Sequence, residues 1–358
     1  MSRQSAPVRP AIDLLRALRQ NRAMSAASVR NLIDRLRDPR GNEAWLDPRS
    51  HKLYVFLVLT MLIEAVAIGL TAFELGHSNI VRNFLRIFVI LGLAAAIRRL
   101  RFARVAVVVE AAVILTVAGA LAVTGTVLLA AVSGSFVDRG LDAADHAIGF
   151  DFLSLLSLYR AHPCLAVASR WVYATFALQA LLVPAIVALF DPRRFWLLVN
   201  AWTCCLAIAV MLFPLFPAAG PFVFHGVHDD VFPNLLRLFP WETGPAIEAI
   251  RRGEIRDIGL AARGFISIPS FHAVGGVLFA WAAWPSRWLR WPMVLLNAAM
   301  VASAVVTGSH YLIDLIVGGA LAAAVLLVPC FEAFRLRHHS VYRGALGALG
   351  RKGNPKTS

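Results

Sequence analysis

The sequence predicts an all-α, polytopic membrane protein with about eight transmembrane helices. Apolar side chains make up 59% of the 358 residues, and charged side chains make up only 16%. Soluble domains have an apolar share of about 45–50%, and the mean hydropathy of this chain is +0.68. The apolar residues also fall into runs long enough to cross a bilayer, with clusters of arginine between them.

Each predicted span is an apolar run of about 20 residues, the length that a helix needs to cross roughly 30 Å of hydrocarbon. These runs lie at 52–74, 105–132, 168–190, 195–217, 271–288, 291–309 and 311–333. A weaker run at 80–97 is interrupted by Arg82 and Arg86. We count it as a span, because without it the basic loops would alternate on the wrong side of the membrane.

The basic segments predict the orientation of the chain. Arginine and lysine are clustered in the N-terminal arm, at 98–104, 191–194 and 286–290, and in the tail from 334. Short loops of this kind stay in the cytoplasm, so we expect both termini to be cytoplasmic. The segments 133–167 and 218–268 then lie outside. The Arg- and Ala-rich composition suggests a bacterial inner membrane, with these segments facing the periplasm.

The chain is interpreted as one membrane domain with two basic extensions. Residues 1–50 form a basic amphipathic arm, 51–132 the accessory transmembrane helices, 133–333 the catalytic membrane domain and 334–358 a basic tail. The net charge of +14 is spread over these clusters, so membrane lipids are the expected partners and nucleic acid is not. The four cysteines lack metal-ligand spacing, and no cofactor is predicted.

Two histidines stand at the edges of apolar runs, on the same predicted side of the membrane. His272 begins one span, and His310 precedes another in which Asp314 follows four residues later. On a helix this carboxylate can accept a hydrogen bond from one nitrogen of the His310 ring. The other nitrogen would then be a nucleophile, and His272 the general acid and base. Ser270 and the amides of the helix start after Pro269 offer donors for a phosphate oxyanion.

Other interpretations of these groups stay open. Either histidine alone could be an interfacial anchor, and His272, His310 and Asp314 could bind a metal, although no fourth ligand is apparent. The three could also form the proton relay of a transporter or flippase, for which Glu64 and Glu110 are the main further polar groups within spans. A catalytically inactive relative that acts as a scaffold is a further alternative. A second metal-like group consists of His225, His228, Asp229 and Asp230.

The two stretches carry a family resemblance. The sequence IPSFHA at 268–273 resembles the PSxHA motif of the type 2 phosphatidic acid phosphatase superfamily, and SAVVTGSHYLID at 303–314 resembles its last motif, SRxxxxxHxxxD. The similarity in general pattern spans about 135–333. The resemblance implies a six-helix membrane core and a phosphohistidine intermediate on His310. It also implies that Asp314 orients this ring and that His272 protonates the leaving oxygen.

Two cations of the superfamily pattern are missing. The first motif, KxxxxxxRP, has no match, because the corresponding place reads MLFPLFPAAGPF at 211–222. Ala304 stands where the last motif has arginine. Both missing groups normally hold phosphate oxygens through charge-assisted hydrogen bonds. Arg263, which precedes His272 in the outer segment, is a candidate to replace one of them, and Arg256 is a second.

The missing cations bear on the substrate, because a phosphomonoester carries close to two negative charges and a phosphodiester one. The inositol-phosphorylceramide synthase type of phosphotransferase also keeps the His310, Tyr311 and Asp314 pattern without that arginine, and 213–221 resembles its proline-rich segment. We therefore expect transfer of a phosphoryl headgroup from a phospholipid or lipid phosphate to an alcohol, with Ser270 and Tyr311 contacting the substrate. Hydrolysis of phosphatidic acid or a prenyl diphosphate is the alternative.

Overall fold

The computed structural model describes residues 50–74, 76, 87, 89–97, 99–100, 102–227, 243–259 and 264–328. The predicted arm at 1–50, apart from Ser50, and the predicted tail at 334–358 lie outside these ranges. The regular secondary structure of the described ranges is helical, beside one isolated parallel bridge between Glu74 and Asp257. The all-α class is confirmed for this part of the chain.

The helices are numbered in chain order. The first three are α1 (His51–Leu70), α2 (89–97) and α3 (Ala103–Ala130). Two short helices, α4 (Asp138–Ala147) and α5 (Phe152–Ala161), precede the long helices α6 (Pro163–Phe190) and α7 (Pro192–Leu212). A 3-10 turn (Phe213–Leu215) leads to α8 (Pro221–Phe224) and α9 (Thr243–Arg251). The last three are α10 (Phe271–Ala283), α11 (Arg290–Thr307) and α12 (Leu312–Val328).

In the described ranges, five helices are long and apolar enough to cross a membrane, at His51–Leu70, Val105–Ala130, Pro163–Phe190, Arg193–Leu215 and Arg290–Thr307. They indicate a multi-pass membrane protein. Two further predicted spans coincide with the shorter apolar helices Phe271–Ala283 and Leu312–Val328. The weak span predicted at 80–97 is described as helix over 89–97. The number of eight spans therefore stays a prediction.

Prolines fix several of the helix boundaries. Pro192 occupies the first turn of α7, where its missing N–H is harmless, and the Asp191 side chain caps this helix by accepting from Arg194 N at 3.0 Å. The predicted span at 271–288 ends earlier, at Ala283, because Pro285 cannot continue the helix. For the same reason α7 gives way to the 3-10 turn that contains Pro214.

The starts of α1, α3 and α7 lie at one end of the bundle. Ser50 Oγ, just before α1, donates to Glu110 Oε1 near the start of α3. The ends of α3 and α7 also meet, since Gly134 N donates to Pro214 O at 3.0 Å. Arg194 at the start of α7 donates through Nη2 to Trp281 O in the last turn of α10 at 2.9 Å. We call this end, which carries the turns at 191–194 and 284–290, the basic end.

The short helices cover the opposite end of the bundle. Val127 and Ala130 of α3 pack with Ile247 and Ile250 of α9 in one buried apolar cluster. Arg251 at the end of α9 donates through Nη2 to Ser133 Oγ at 2.9 Å. The described parts of the two longer segments predicted outside the membrane therefore lie together, at the end where α10 begins and α11 ends.

Candidate active site

The start of α10 lies against the first turns of α12. Ser270 N, next to the cis Ile268–Pro269 bond, donates to Asp314 O at 3.0 Å. Gly318 permits this approach, because a Cβ at that position would lie 2.3 Å from Ser270 O. This backbone contact fixes the position of Ser270 relative to the beginning of α12. His272, two residues later, is positioned with it.

Aromatic rings hold the His272 side chain. The Tyr173 ring stacks on it with 4.3 Å between centroids, and the Phe176 ring lies 4.4 Å away. The Tyr173 hydroxyl also lies 3.4 Å from His272 Nδ1, within long hydrogen-bond distance. Both aromatic residues belong to α6, so this helix sets the orientation of the imidazole.

His310 and Asp314 form the predicted pair at the start of α12. His310 Nδ1 lies 3.4 Å from Asp314 Oδ2, and the carboxylate is completely buried. The same Oδ2 accepts from Ser267 Oγ at 2.6 Å and from Tyr311 N at 3.1 Å. Since the two additional donors fix the carboxylate, it can select the tautomer of His310 that carries a proton on Nδ1.

Small residues make room for the His310 ring. Ser309 has a φ of 53°, and the glycine that faces it, Gly220, has a φ of 97°. A Cβ on Gly220 would lie 2.7 Å from Ser309 Oγ, and one on Gly308 would lie 2.9 Å from His310 Cδ2. Larger side chains at these two glycines would therefore displace the loop or the ring itself.

The two histidines face one cavity. Their ring centroids are 6.0 Å apart with an interplanar angle of 62°, so one phosphoester could contact both. The cavity has a volume of about 570 Å³, and α3, α6 and α7 supply much of its apolar wall. None of its described lining residues is Arg, Lys, Asp or Glu. Within the described residues, imidazole, indole, hydroxyl and backbone groups are its polar surface.

Two carboxylates on α4 hold the loops that carry this site. Asp138 accepts from Ala219 N at 2.9 Å and from Gly220 N at 2.8 Å, and its Oδ1 also accepts from the Tyr311 hydroxyl at 2.9 Å. Asp145, two turns later, accepts from Leu312 N and Ile313 N, both at 2.8 Å. Asp145 thereby caps α12, whose first-turn N–H groups have no partner within the helix.

Asp142, between these two carboxylates, faces a histidine. His225 Nε2 lies 3.0 Å from Asp142 Oδ1, and the His225 ring stacks on Phe152. His225 was predicted as part of a metal-like group with His228, Asp229 and Asp230, and these three lie outside the described residues. In the described part of the chain, the contacts of His225 are therefore structural.

The titration of two groups on α4 is perturbed. The pKa of Asp145 is raised above its ordinary value, first by burial and also by the nearby carboxylates of Asp314 and Asp142, while the amide donors Leu312 and Ile313 lower it. The pKa of His146 is also raised, first by its contact with the backbone carbonyl of Asp142 and then by nearby carboxylates. His146 is exposed, whereas Asp145 touches the start of α12, so of these two groups it is Asp145 whose proton binding is coupled to the site.

The residues predicted to contact the substrate differ in their position relative to the cavity. Tyr311 is 1% exposed and does not line the cavity, and its hydroxyl is bound by Asp138. Ser270 is completely buried, and its N–H donates to Asp314 O, so this N–H is already occupied. Arg263 lies outside the described residues, although its neighbour Gly264 lines the cavity. Arg256 is described, and its Nε donates to Gly253 O at 3.2 Å, away from the cavity.

Sequence reasoning missed the carboxylates of α4 and the hydroxyl of Ser267. The signal for the first was present, because Asp138, Asp142 and Asp145 are spaced by four and three residues and so share one helical face. Ser267 gave no comparable signal. Its bond to Asp314 depends on how the chain turns before Pro269.

Comparison with known proteins agrees with the motifs. The model of the PAP2 superfamily matches residues 139–328, which include α4 from its second residue, both histidines and Asp314. Neither curated proteins nor solved structures give a significant match. Members of this superfamily are phosphatase-type or phosphotransferase enzymes. Since the matched residues make up more than half of the 358-residue sequence, the chain belongs to the PAP2 superfamily.

Proposed function

We propose that this chain is an integral-membrane lipid phosphotransferase that works through a phosphohistidine intermediate, as in the inositol-phosphorylceramide synthase type. The donor is a phospholipid or lipid phosphate, and the acceptor is an alcohol. The observation that carries the proposal is the single cavity of about 570 Å³ that both His272 and His310 line and to which the described residues bring no cation.

The first step is attack by His310 on phosphorus. Asp314 faces Nδ1 at 3.4 Å, which leaves the lone pair on Nε2 to form the P–N bond. The P–O bond to the leaving lipid alcohol breaks at the same time, and His272 gives its proton to that oxygen. In the second step His272 takes a proton from the acceptor hydroxyl, whose oxygen attacks phosphorus as the P–N bond breaks. His310 and His272 are thereby restored.

The lining of the cavity supports a phosphodiester over a phosphomonoester. A monoester carries nearly two charges and a diester one, and an apolar cavity penalises the additional charge. Arg263 is proposed as the phosphate contact that compensates for the missing cations, because it directly precedes Gly264 in the cavity wall. The first-turn amides of α10 after Ser270 are proposed to bind the developing oxyanion. Tyr311 acts in this proposal by holding Asp138.

The helix directions support eight spans in the proposed topology. Ser50 contacts Glu110 near the starts of α1 and α3, and Gly125 lies beside Glu64 further along both helices. The two helices are therefore parallel, so the chain between them has to return, which a crossing at 80–97 provides. The basic end, with the turns at 191–194 and 284–290, lies opposite the site. We accordingly propose cytoplasmic termini and a site on the periplasmic face of a bacterial inner membrane.

A panel of lipid substrates tests the proposal. Purified protein is given phosphatidic acid, a prenyl diphosphate, or phosphatidylinositol with ceramide, and both transfer products and released phosphate are measured. We expect headgroup transfer in the last mixture and its loss in His310→Ala. His225→Ala, which changes a histidine outside the cavity, is the matched control and should keep activity. Release of inorganic phosphate without transfer would identify a phosphatase, and full transfer by His310→Ala would exclude the mechanism.

A further inference from the structure

A second cavity lies beside the first, between α1, α3 and α7. Its volume is about 380 Å³, within the range of small-molecule sites. Ala122 and Leu206 line both cavities, so they form a shared wall. The rim includes Phe56, Ile63 and Met211, which are 42%, 70% and 70% exposed on the outer surface of the bundle. In a membrane this opening would face the hydrocarbon.

Glu64 of α1 brings a carboxyl group into this apolar cavity. It is 9% exposed and lies on the inner face of α1 with Leu53 and Leu57. No described residue donates a hydrogen bond to it. Gly125 of α3 makes room for the group, since a Cβ there would lie 3.1 Å from Glu64 Oε1. An ionisable side chain inside a membrane span, without a partner among the described residues, indicates a functional role.

Thr203 of α7 supplies a second polar group. Its Oγ1 is buried and has no hydrogen-bond partner in the described part of the chain. Threonines on apolar helices usually bond to a carbonyl of the preceding turn. Thr60 does so with Phe56 O at 3.0 Å, and Thr116 with Ala112 O at 2.7 Å. The hydroxyl of Thr203 makes no such bond among the described residues, and Thr203 lines the same cavity as Glu64.

The two groups select the chemistry of a ligand. A phosphate would meet a carboxyl group and no cation among the described lining residues. An ammonium group carries a charge and three hydrogen-bond donors, and the lining of the cavity offers few acceptors for them. A hydroxyl group has one donor and can accept two hydrogen bonds, so it can donate to Glu64 and accept from Thr203. The apolar remainder of the cavity fits a hydrocarbon chain.

We propose that this second cavity binds a long-chain lipid alcohol, with its hydroxyl between Glu64 and Thr203 and its chain along α1, α3 and α7. The binding site does not depend on the proposed reaction. If that reaction holds, the cavity presents an acceptor alcohol one wall away from the catalytic cavity, behind Ala122 and Leu206. This second statement rests on the proposed function.

Photolabelling of the full chain in nanodiscs tests the binding. The probes are a C16 alcohol that carries a diazirine and an alkyne, and the matched alkane and primary amine. We expect saturable labelling of α1, α3 and α7 by the alcohol, and weaker labelling by the other two probes. Glu64→Leu and Thr203→Val should each lower alcohol labelling, by roughly tenfold for the carboxyl group.

A matched pair of glycine variants provides the second arm. Gly125→Val places its side chain against Glu64 Oε1, whereas a side chain at Gly69 meets no atom within 4 Å. Gly125→Val should lose alcohol labelling, and Gly69→Val should keep it. Unchanged labelling in Glu64→Leu and Thr203→Val, or stronger labelling by the amine or the alkane, would overturn the proposal.

Labelling of His310→Ala separates this inference from the proposed function. We expect that variant to bind the alcohol as the wild type does, because His310 does not line the second cavity. If the wild type binds the alcohol but transfers no headgroup, the binding site is supported and the proposed transferase activity is contradicted. If transfer is observed without saturable labelling, the binding site is contradicted and the proposed transferase activity is supported.

Discussion

The Tyr311 hydroxyl donates a hydrogen bond to Asp138 Oδ1 at 2.9 Å, which joins the residue beside His310 to a helix 173 positions earlier. Asp138 accepts at the same time from the amides of Ala219 and Gly220, in the loop that faces Ser309. One buried carboxylate thus holds both loops between which the His310 ring is placed. Catalysis that needs a fixed nucleophile would depend on it.

Asp138→Asn should lower kcat more than it raises KM. The three groups that bond to Asp138 are all donors, so an amide NH2 would face at least one of them and shift the loops. A shift of about 1 Å at a nucleophile can lower the rate by roughly 100-fold. Steady-state kinetics of the proposed transfer would measure this. Asp142→Asn, one turn away, is the control and should stay within about twofold; equal losses in both variants would contradict a specific positioning role.

Tyr311→Phe tests whether this hydroxyl contacts the substrate. Removal of a buried hydrogen bond lowers the free energy of unfolding by about 1 kcal/mol. Because the hydroxyl is bound to Asp138 and lies outside the cavity, we expect a lower melting temperature with KM unchanged. A large rise in KM with unaltered stability would instead restore Tyr311 as a substrate contact.

Asp145 makes stability depend on pH. Burial raises its pKa in the folded state, so the folded protein binds a proton more readily than the unfolded chain does. Its contribution to stability is present below the unfolded value of about 3.9 and is lost as pH rises through the folded value. The wild type should therefore lose melting temperature relative to Asp145→Asn as pH rises from about 4. A difference that is constant with pH, or of opposite sign, would contradict this.

Two neighbouring glycines on α12 should respond differently to alanine. A Cβ at Gly318 would lie 2.3 Å from the backbone oxygen of Ser270, whereas one at Gly319 would have ordinary contact with Val277 at 3.8 Å. Gly318→Ala must therefore push α10 away from α12, with a loss of about 3 kcal/mol or more in stability. Gly319→Ala should be tolerated. Denaturant unfolding in detergent measures both, and equal stability would show that the helices are not in this contact.

The convergence of the two histidines was accessible from the sequence. His272 and His310 border apolar runs whose order and flanking charges place both on one side, and Asp314 follows at helical spacing. The α-helical class followed from the length of the same runs. The extent of α10 was less accessible, because the apolar run continues beyond Ala283 while Pro285 ends the helix.

The hydrogen bonds from α4 that position the site could not be predicted in the same way. The bonds from α4 to Gly220 and Tyr311 join positions far apart in the chain, and only the folded loops bring them together. The spacing of Asp138 and Asp145 fits one helical face, but it does not show what this face contacts. Which cation binds the phosphate likewise depends on the segment that contains Arg263.

Covalent labelling of His310 tests the central claim most directly. The His272→Ala variant is mixed briefly with a radiolabelled phosphodiester whose leaving group needs no protonation, so that the first step proceeds while activation of the acceptor is slow. We expect acid-labile, base-stable label on the peptide that contains His310, and none when His310→Ala is added. Label on another residue, or repeated absence of label while the wild type turns over the same donor, would contradict the phosphohistidine mechanism.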